Sequence, residues 1–204
     1  MSSERRPSGK HHGDLRRVLE ETALDLVAER GVHGFALAEV CRRAGVSVGA
    51  PYKHFADREA LLAALAAHSF REQHRRYEAA IATGSEPGEQ LAAFAAAYVR
   101  FAAQERTLFE LAFTAGLDKS RYPELMDTGT ALFDMLMPIA RTIAPDENDA
   151  FDLLVRIAAA AHGLALLTDQ GLVRPGRDTS EATEEQAARS ARALIDEART
   201  AHPR

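Results

Sequence analysis

ALAEVCRRAGVSVGAPYKHF, residues 36–55, is the stretch whose pattern indicates most about the fold. Its first half places Leu37, Val40 and Cys41 on one face at helical spacing, which predicts a short helix. Gly45 follows where a chain leaving a helix usually turns through the left-handed region. The stretch therefore predicts a helix that ends at a glycine turn.

The second half of this stretch predicts a second short helix over residues 48–54. Ser47 stands just before it and can cap it by accepting a hydrogen bond from a main-chain N–H. Apart from Tyr52 this helix has few large apolar residues, so burial is not its main role. Two helices joined by a short turn that contains glycine form a helix-turn-helix, which proteins place in the major groove of DNA.

Composition favours helices throughout the chain. Apolar residues make up 46% of the 204 residues, which is enough for the buried core of one or two domains. Only 13 Gly and 8 Pro are present, and apolar residues recur at helical rather than strand spacing. The sequence therefore predicts an all-α fold of about nine helices. Pro138 lies inside one of these helices and predicts a kink or an early end there.

The same pattern divides the chain into three parts. Residues 1–13 are polar and basic without apolar periodicity, which predicts a disordered basic arm. Residues 14–57, the head, are predicted to form a three-helix DNA-binding domain that begins with Asp14 as a helix cap. Residues 58–204, the body, are predicted to form a ligand-binding and dimerisation domain, with Asp57 capping its first, long helix.

Charge is distributed unevenly between these parts. The net charge is −5, but residues 1–60 hold ten Lys or Arg against nine Asp or Glu. The acidic excess therefore lies in the remainder of the chain, as expected when only one segment meets DNA. The acidic excess of the body argues weakly against an anionic ligand there.

Several classes of protein are disfavoured by residue usage. The single cysteine, Cys41, excludes an internal disulfide and a cysteine-cluster metal site, and its Ala-like position predicts a small buried side chain. We predict no metal and no cofactor. The longest nearly apolar run, residues 157–167, is interrupted by His162 and is shorter than a membrane span. A cytoplasmic protein without a membrane partner is therefore expected.

The head also resembles a known family. Residues 44–47 (AGVS) are followed by Gly49, Tyr52, His54, Phe55, Arg58 and Leu61. This order is similar to the pattern A-G-V-S-x-G-x-x-Y-x-[HY]-F-x-x-[KR]-x-x-L of the tetracycline-repressor (TetR) family. Residues 97–101 (AYVRF) and 161–165 (AHGLA) resemble the branch with a Trp-His-Gly type C-terminal domain. Two departures are Ala36, where the family usually has Thr or Ser, and Val48, which replaces a frequent polar residue.

The resemblance implies a bacterial transcriptional regulator, and more narrowly a repressor. Such a protein binds a palindromic double-stranded DNA operator as a homodimer and is released by a small-molecule effector. We expect this effector to be apolar or neutral.

The predicted DNA contacts fall into two groups. Phosphate contacts position a protein, whereas contacts to base edges specify the sequence. The small apolar residues suit thymine methyl groups, and Lys53 can reach guanine. For Tyr52 packing on Phe55 is an equal alternative, and for Arg42 and Arg43 simple solvation. The predicted contacts are Arg42, Arg43, Ser47, Val48, Gly49, Ala50, Pro51, Tyr52, Lys53, His54 and Arg58.

Two further sets of residues are predicted in the body. The candidate ligand contacts are aromatic residues, Met and one His, for which plain core packing is the alternative: Phe94, Tyr98, Phe101, Phe109, Phe113, Met126, Phe133, Met137 and His162. The candidate dimer interface lies on the last two helices, for which packing within one chain is the alternative: Ala158, Ala161, Gly163, Leu164, Leu194 and Ile195.

Two other functions were weighed against this prediction. A helical, dimeric ligand-binding protein without specific operator binding is favoured by Ala36 and Val48, the departures in the head. An enzyme is disfavoured because the sequence has no G-x-S-x-G, P-loop, H-E-x-x-H or dinucleotide-binding glycine motif. We therefore predict no catalytic residues.

Overall fold

Eight α-helices and two 3-10 turns form the chain in the computed structural model, which describes residues 12–172 and 180–201. No strand occurs in these ranges, so the predicted all-α fold is confirmed. The 3-10 turns are Pro51–Lys53 and Lys119–Arg121. The helices are α1 (His12–Arg30), α2 (Leu37–Arg43), α3 (Arg58–Ile81), α4 (Pro87–Gln104), α5 (Arg106–Thr114), α6 (Pro123–Arg141), α7 (Glu147–Asp169) and α8 (Ser180–Ala201).

The first helix begins earlier than the sequence predicts. α1 starts at His12, so Asp14 lies within its first turn instead of preceding it as a cap. The predicted basic arm, residues 1–13, lies outside the described residues except for its last two, which are helical. The helix ends at Gly31, whose φ of 75° turns the chain through the left-handed region.

α2 ends in the glycine turn that the sequence predicts. Gly45 has a φ of 69°, and the N–H of Val46 donates to the carbonyl of Cys41 across 3.0 Å. This pairing closes a helix through a left-handed glycine. Val46 then packs against the apolar core of the head. Cys41 is buried as predicted, with its Sγ 3.2 Å from the carbonyl oxygen of Leu37.

The prediction of a second α-helix over residues 48–54 is wrong. Residues 48–54 form an irregular turn followed by the 3-10 turn Pro51–Lys53. Pro51 has no N–H to donate to the carbonyl of Ser47, which accepts instead from the N–H of Ala50 at 3.0 Å. The 3-10 turn starts after Ala50 without a side-chain cap from the described residues, so Ser47 does not cap it.

α3 joins the two cores of the protein. Asp57 caps it, as predicted, by accepting a main-chain N–H of its first turn at 2.8 Å. Near its beginning Leu61 and Leu65 are buried in the core of the head. Near its end Tyr77 and Ile81 are buried in the core of the body. Its 24 residues span about 36 Å at ~1.5 Å per residue.

The core of the body is built around α4, which contacts α3, α7 and α8. α7 is capped by Asp146, whose carboxylate accepts the N–H of Asn148 at 2.9 Å. α6 continues past Pro138 to Arg141, so the predicted early end is wrong. Pro138 lies near the last turn of α6, and the carbonyl that loses its helical partner belongs to Asp134, an exposed residue with access to water.

α7 is the one helix of the described residues whose length and apolar composition would suit a membrane span. In the structure it packs against α4, α6 and α8. Its inner face contributes Leu153, Leu154 and Ile157 to the core, while its outer face exposes Phe151 and Val155. The high apolar content thus reflects two apolar faces on one helix.

Candidate functional site

The turn after α2 exposes most of the residues that the sequence predicts as DNA contacts. Val48 is 61% exposed and Tyr52 is 59% exposed. Ser47, Gly49 and Lys53 are also exposed. Because Tyr52 points to solvent, the alternative of Tyr52 as a core residue is wrong.

Gly49 stands in open space. A Cβ atom at this position would meet no atom of the described residues within 4 Å. Its φ also lies outside the left-handed region. The packing of the protein therefore does not require glycine here, whereas a phosphate or a base edge approaching the main chain would need the room.

Arg42 and Arg43 end α2 but have different partners. Arg43 donates two hydrogen bonds to the carboxylate of Glu29, at 2.6 and 2.5 Å. This pairing lowers the pKa of Glu29. Arg42 donates to Glu39 at 3.3 Å, and its side chain is 75% exposed. Arg42 is therefore the more accessible cation, while a phosphate would compete with Glu29 for Arg43.

Arg58 points into the head instead of toward its surface. Its Nε donates to the carbonyl of Phe35 at 2.8 Å, and its Nη2 donates to the carbonyl of Val32. Its guanidinium lies 4.7 Å from the centroid of the Phe35 ring. These contacts satisfy carbonyl groups of the loop between α1 and α2, which gives Arg58 a structural role, and its contact with DNA stays a prediction.

The remaining predicted DNA contacts are less accessible. Pro51 is buried, which disfavours its predicted contact with a base. Ala50 and His54 are half-buried, and the His54 ring lies 6.4 Å from that of Phe55. The accessible set is therefore centred on residues 47–49, Tyr52 and Lys53.

A cavity of about 440 Å³ lies in the body between α3, α4, α6 and α7. This volume is within the range of about 300–1,000 Å³ that is typical of small-molecule sites. Its wall is mostly apolar and aromatic. The lining residues are Phe70, Gln73, Tyr77, Phe94, Tyr98, Phe113, Lys119, Met126, Gly129, Thr130, Leu132, Phe133, Leu136, Phe151, Leu154 and Ala158.

The cavity contains some of the predicted ligand contacts and not others. Phe94, Tyr98, Phe113, Met126 and Phe133 line it. Another part of the wall belongs to α3, and this contribution was not predicted because apolar spacing does not separate a cavity wall from a core. The predicted contacts outside the wall are Phe101, Phe109, Met137 and His162.

Those four residues have other packing roles. Phe101 is fully buried beside Tyr77, with ring centroids 6.2 Å apart. Met137 packs against the core of the body. Phe109 stacks on His162 at 5.4 Å. These four residues therefore do not line the described cavity, and their prediction as part of its wall is corrected.

His162 is a hydrogen-bonded histidine behind the cavity wall. Its Nδ1 lies 2.9 Å from the hydroxyl oxygen of Tyr98, which does line the cavity. Burial lowers the pKa of His162 and raises the pKa of Tyr98. Both groups are therefore neutral near neutral pH, and His162 supports the wall through Tyr98.

A chain of hydrogen bonds links the cavity to α5. The hydroxyl of Tyr77 donates to Gln73 Oε1 at 3.2 Å, and Gln73 Nε2 donates to Ser69 Oγ at 3.1 Å. The Ser69 hydroxyl then donates to the carbonyl of Leu108 at 2.7 Å. Gln73 and Ser69 are fully buried. The side chains of Tyr77, Gln73 and Ser69 are thus hydrogen-bonded within the protein.

The predicted interface residues lie partly inside the chain. Ala161 and Ile195 are buried in the core of the body, which favours for these two residues the alternative of packing within one chain. Ala158 lines the cavity. Leu164 and Leu194 are half-buried, and Gly163 faces open space.

The outer face of α7 carries exposed apolar residues that were not among the predicted interface contacts. Phe151 is 50% exposed, Val155 39% and Leu166 40%. Ala159 is exposed between them. Spacings of four, four and seven residues place these side chains along one side of a helix.

Comparisons with known proteins agree with this arrangement. The sequence model described as "Bacterial regulatory proteins, tetR family" matches residues 19–65. The model described as "Tetracyclin repressor-like, C-terminal domain" matches residues 91–194. No curated protein matches the sequence.

Solved structures show the same fold. A Rhodococcus protein of unknown function is 32% identical, with 93% of this chain and 100% of that chain covered and a TM-score of 0.76. A bacterial regulatory protein in the TetR family from Rhodococcus is 17% identical over 88% of this chain and 96% of that chain, with a TM-score of 0.65.

A TetR family transcription regulator from Marinobacter aquaeolei is 18% identical over 88% of this chain and 94% of that chain, with a TM-score of 0.65. These last two resemblances show the fold, and the family models show the family. The likeness to the Trp-His-Gly branch stays a prediction. The head and the body match the two family models in order, and the chain belongs to the TetR family of bacterial transcriptional regulators.

Proposed function

We propose that this regulator is a repressor that binds a palindromic operator as a homodimer and releases it when a small molecule fills the cavity. The observation that carries this proposal is the position of α3. One continuous helix is buried in the head core through Leu61 and Leu65 and lines the cavity through Phe70, Gln73 and Tyr77. A change at the cavity therefore has a direct structural route to the head.

The DNA-binding surface supports this proposal through its accessible groups. Lys53 and Arg42 can contact phosphates, and the main chain at Gly49 has room for a close approach. Val48 offers an exposed apolar side chain, which suits the methyl group of thymine. We propose that phosphates supply most of the affinity and that few side chains contact base edges.

The outer face of α7 supports the homodimer. Phe151, Val155 and Leu166 are exposed apolar side chains on one side of this helix, and Gly163 leaves space for a neighbouring helix. Burying this face against a second copy would remove apolar surface from water. Two heads held in this way would contact two half-sites about 34–36 Å apart.

The effector mechanism requires two arrangements of the heads. A ligand shifts the equilibrium between them only if it binds one arrangement more tightly than the other. Because α3 belongs to both cores, rearrangement of its cavity end on ligand binding would change the spacing of the two heads.

The proposal is tested by measuring binding to DNA duplexes taken from beside the protein's own gene. A palindromic duplex and a scrambled duplex of equal length and composition are titrated by fluorescence anisotropy at several salt concentrations. We expect the palindrome to bind at least about 10³-fold more tightly, with one homodimer per duplex. Equal binding of both duplexes contradicts specific regulation.

A second candidate function is a ligand-binding dimer without specific operator binding. The shortened second helix of the head favours this candidate, because only the 3-10 turn Pro51–Lys53 remains where a longer groove-reading helix was predicted. Ala36 also occupies the cap position just before α2, where it forms no side-chain hydrogen bond to the helix. The same titration separates the two functions, since this candidate predicts weak binding that does not depend on sequence.

A further inference from the structure

Lys119 is a cation in the wall of an otherwise mostly apolar cavity. Its ammonium nitrogen lies 5.1 Å from the centroid of the Phe70 ring, which also lines the cavity. This cation–π contact holds the ammonium group near the wall without neutralising it. Within residues 12–172 and 180–201, Lys119 forms no ion pair with a carboxylate.

Three carboxylates in neighbouring segments of the chain are hydrogen-bonded to groups other than Lys119. They lie just before the 3-10 turn, near the start of α6 and near the start of α3. Each is held at hydrogen-bond distance: Asp118 by Ser120 at 2.6 Å, Glu124 by Arg71 at 2.6 Å and Glu59 by Arg121 at 3.0 Å. None of these three carboxylates forms an ion pair with Lys119 in the structure.

The other polar groups of the wall are satisfied within the protein. Tyr77 donates to Gln73, Tyr98 is paired with His162, and the Thr130 hydroxyl donates to the carbonyl of Met126 at 3.0 Å. A ligand gains little from displacing these internal bonds. The ammonium of Lys119 is the strong donor that remains.

We propose that the cavity binds an apolar molecule that carries one anionic group, such as a carboxylate, and that this group pairs with Lys119. The proposal rests on the proposed function in taking the cavity as the sensing site. It replaces the expectation of an apolar or neutral effector. The apolar part would be buried against the aromatic wall, which favours binding through the removal of apolar surface from water.

The position of Lys119 would allow an ionised carboxylate to bind in a mostly apolar cavity. A carboxylate placed among apolar groups is strongly disfavoured unless it is paired. Lys119 is exposed, so the paired carboxylate would keep part of its hydration. One lysine supplies one positive charge, which suits a monoanion better than a group with several charges.

The test uses decanoate and 1-decanol, two probes with the same chain length that differ in charge. Their affinities are measured by displacement of the neutral apolar dye N-phenyl-1-naphthylamine from the full-length protein. We expect decanoate to bind about tenfold more tightly than 1-decanol near neutral pH, as one charge-assisted contact allows. Lys119→Met should remove this preference without changing the affinity for 1-decanol, and Lys119→Arg should preserve it.

A cavity-filling variant separates this proposal from the proposed function. Gly129 lines the cavity, and a Cβ atom there would lie 3.8 Å from Phe70, which is an ordinary contact. Dye binding to Gly129→Ala but not to Gly129→Leu places the dye in the cavity and supports the sensing site. If the dye binds there and 1-decanol displaces it as well as decanoate does, the anionic class is wrong and the sensing site stands. If the dye does not bind the cavity and neither probe raises the unfolding temperature of the protein, both proposals are contradicted.

Discussion

Arg58 holds the loop between α1 and α2 through Phe35, donating to its carbonyl at 2.8 Å while lying 4.7 Å over its ring. Asp57, the residue just before Arg58, caps α3. Arg58 therefore connects the start of α3 to the loop of the head, while Asp57 completes the first turn of α3 itself. The family pattern has a basic residue at the position of Arg58, and in this structure its role is to connect the head to α3.

Replacing Arg58 tests this role. We expect Arg58→Gln to lower the free energy of unfolding by about 1.5–3 kcal/mol, because hydrogen bonds made by a charged group are lost. The salt dependence of DNA binding should not change, since Arg58 is not among the accessible cations. Arg42→Gln is the matched control, with stability within about 0.5 kcal/mol of the wild type. Urea denaturation and binding titrations measure both effects, and an altered salt slope in Arg58→Gln would return this residue to the DNA surface.

Replacing Lys53 should change the binding of DNA without changing the stability of the protein. Because Lys53 is exposed, Lys53→Ala should leave stability unchanged and lower the salt slope of operator binding by about one unit. Lys119→Ala removes the same charge from the body and serves as the control, with no change in slope. Anisotropy titrations over a range of salt concentrations measure this, and an unchanged slope in Lys53→Ala excludes a phosphate contact by Lys53.

Two glycines of the head should respond in opposite ways to alanine. Gly49→Ala should preserve or slightly raise stability, because its conformation and surroundings accept a Cβ atom, yet it should weaken operator binding. Gly45 has a φ of 69°, so Gly45→Ala should lower stability by about 1–2 kcal/mol. Thermal unfolding and operator titrations compare the variants. Full operator affinity in Gly49→Ala would mean that no part of the DNA approaches the main chain there.

His162 should make stability depend on pH. Burial lowers its folded-state pKa below the ordinary value of about 6.5, so the unfolded chain binds the proton more tightly. The contribution is therefore fully present above about pH 6.5 and is lost as the pH falls through the folded-state pKa. We expect the wild type to lose more stability than His162→Gln between about pH 8 and pH 5, measured by urea denaturation. Equal losses would show that His162 is protonated as easily in the folded protein.

The sequence predicted the parts of the head that depend on local rules. The glycine turn at Gly45 and the cap at Asp57 each follow from one residue and its immediate neighbours. The second helix was predicted from the same kind of signal and is wrong, because Pro51 removes the N–H that would pair with Ser47. The inward direction of Arg58 could not be predicted, since its partner Phe35 lies far away in the sequence.

The cavity could be predicted only in part. Tyr98 and Phe101 lie on the same helix at helical spacing, but Tyr98 lines the cavity and Phe101 is core. Which of two apolar neighbours meets an empty space depends on how α3, α6 and α7 pack, and no local pattern records this. Lys119 was not predicted as a cavity residue, because a single charged residue outside the helices is usually solvated.

Filling the cavity should weaken the binding of the heads to DNA. Operator affinity of Gly129→Leu, compared with Gly129→Ala, tests it without a known effector, after circular dichroism shows that both variants fold. We expect wild-type affinity for Gly129→Ala and a loss of at least about tenfold for Gly129→Leu, within the usual range of coupling between sites. Equal operator affinity in the two variants, with dye binding lost only in Gly129→Leu, would contradict it.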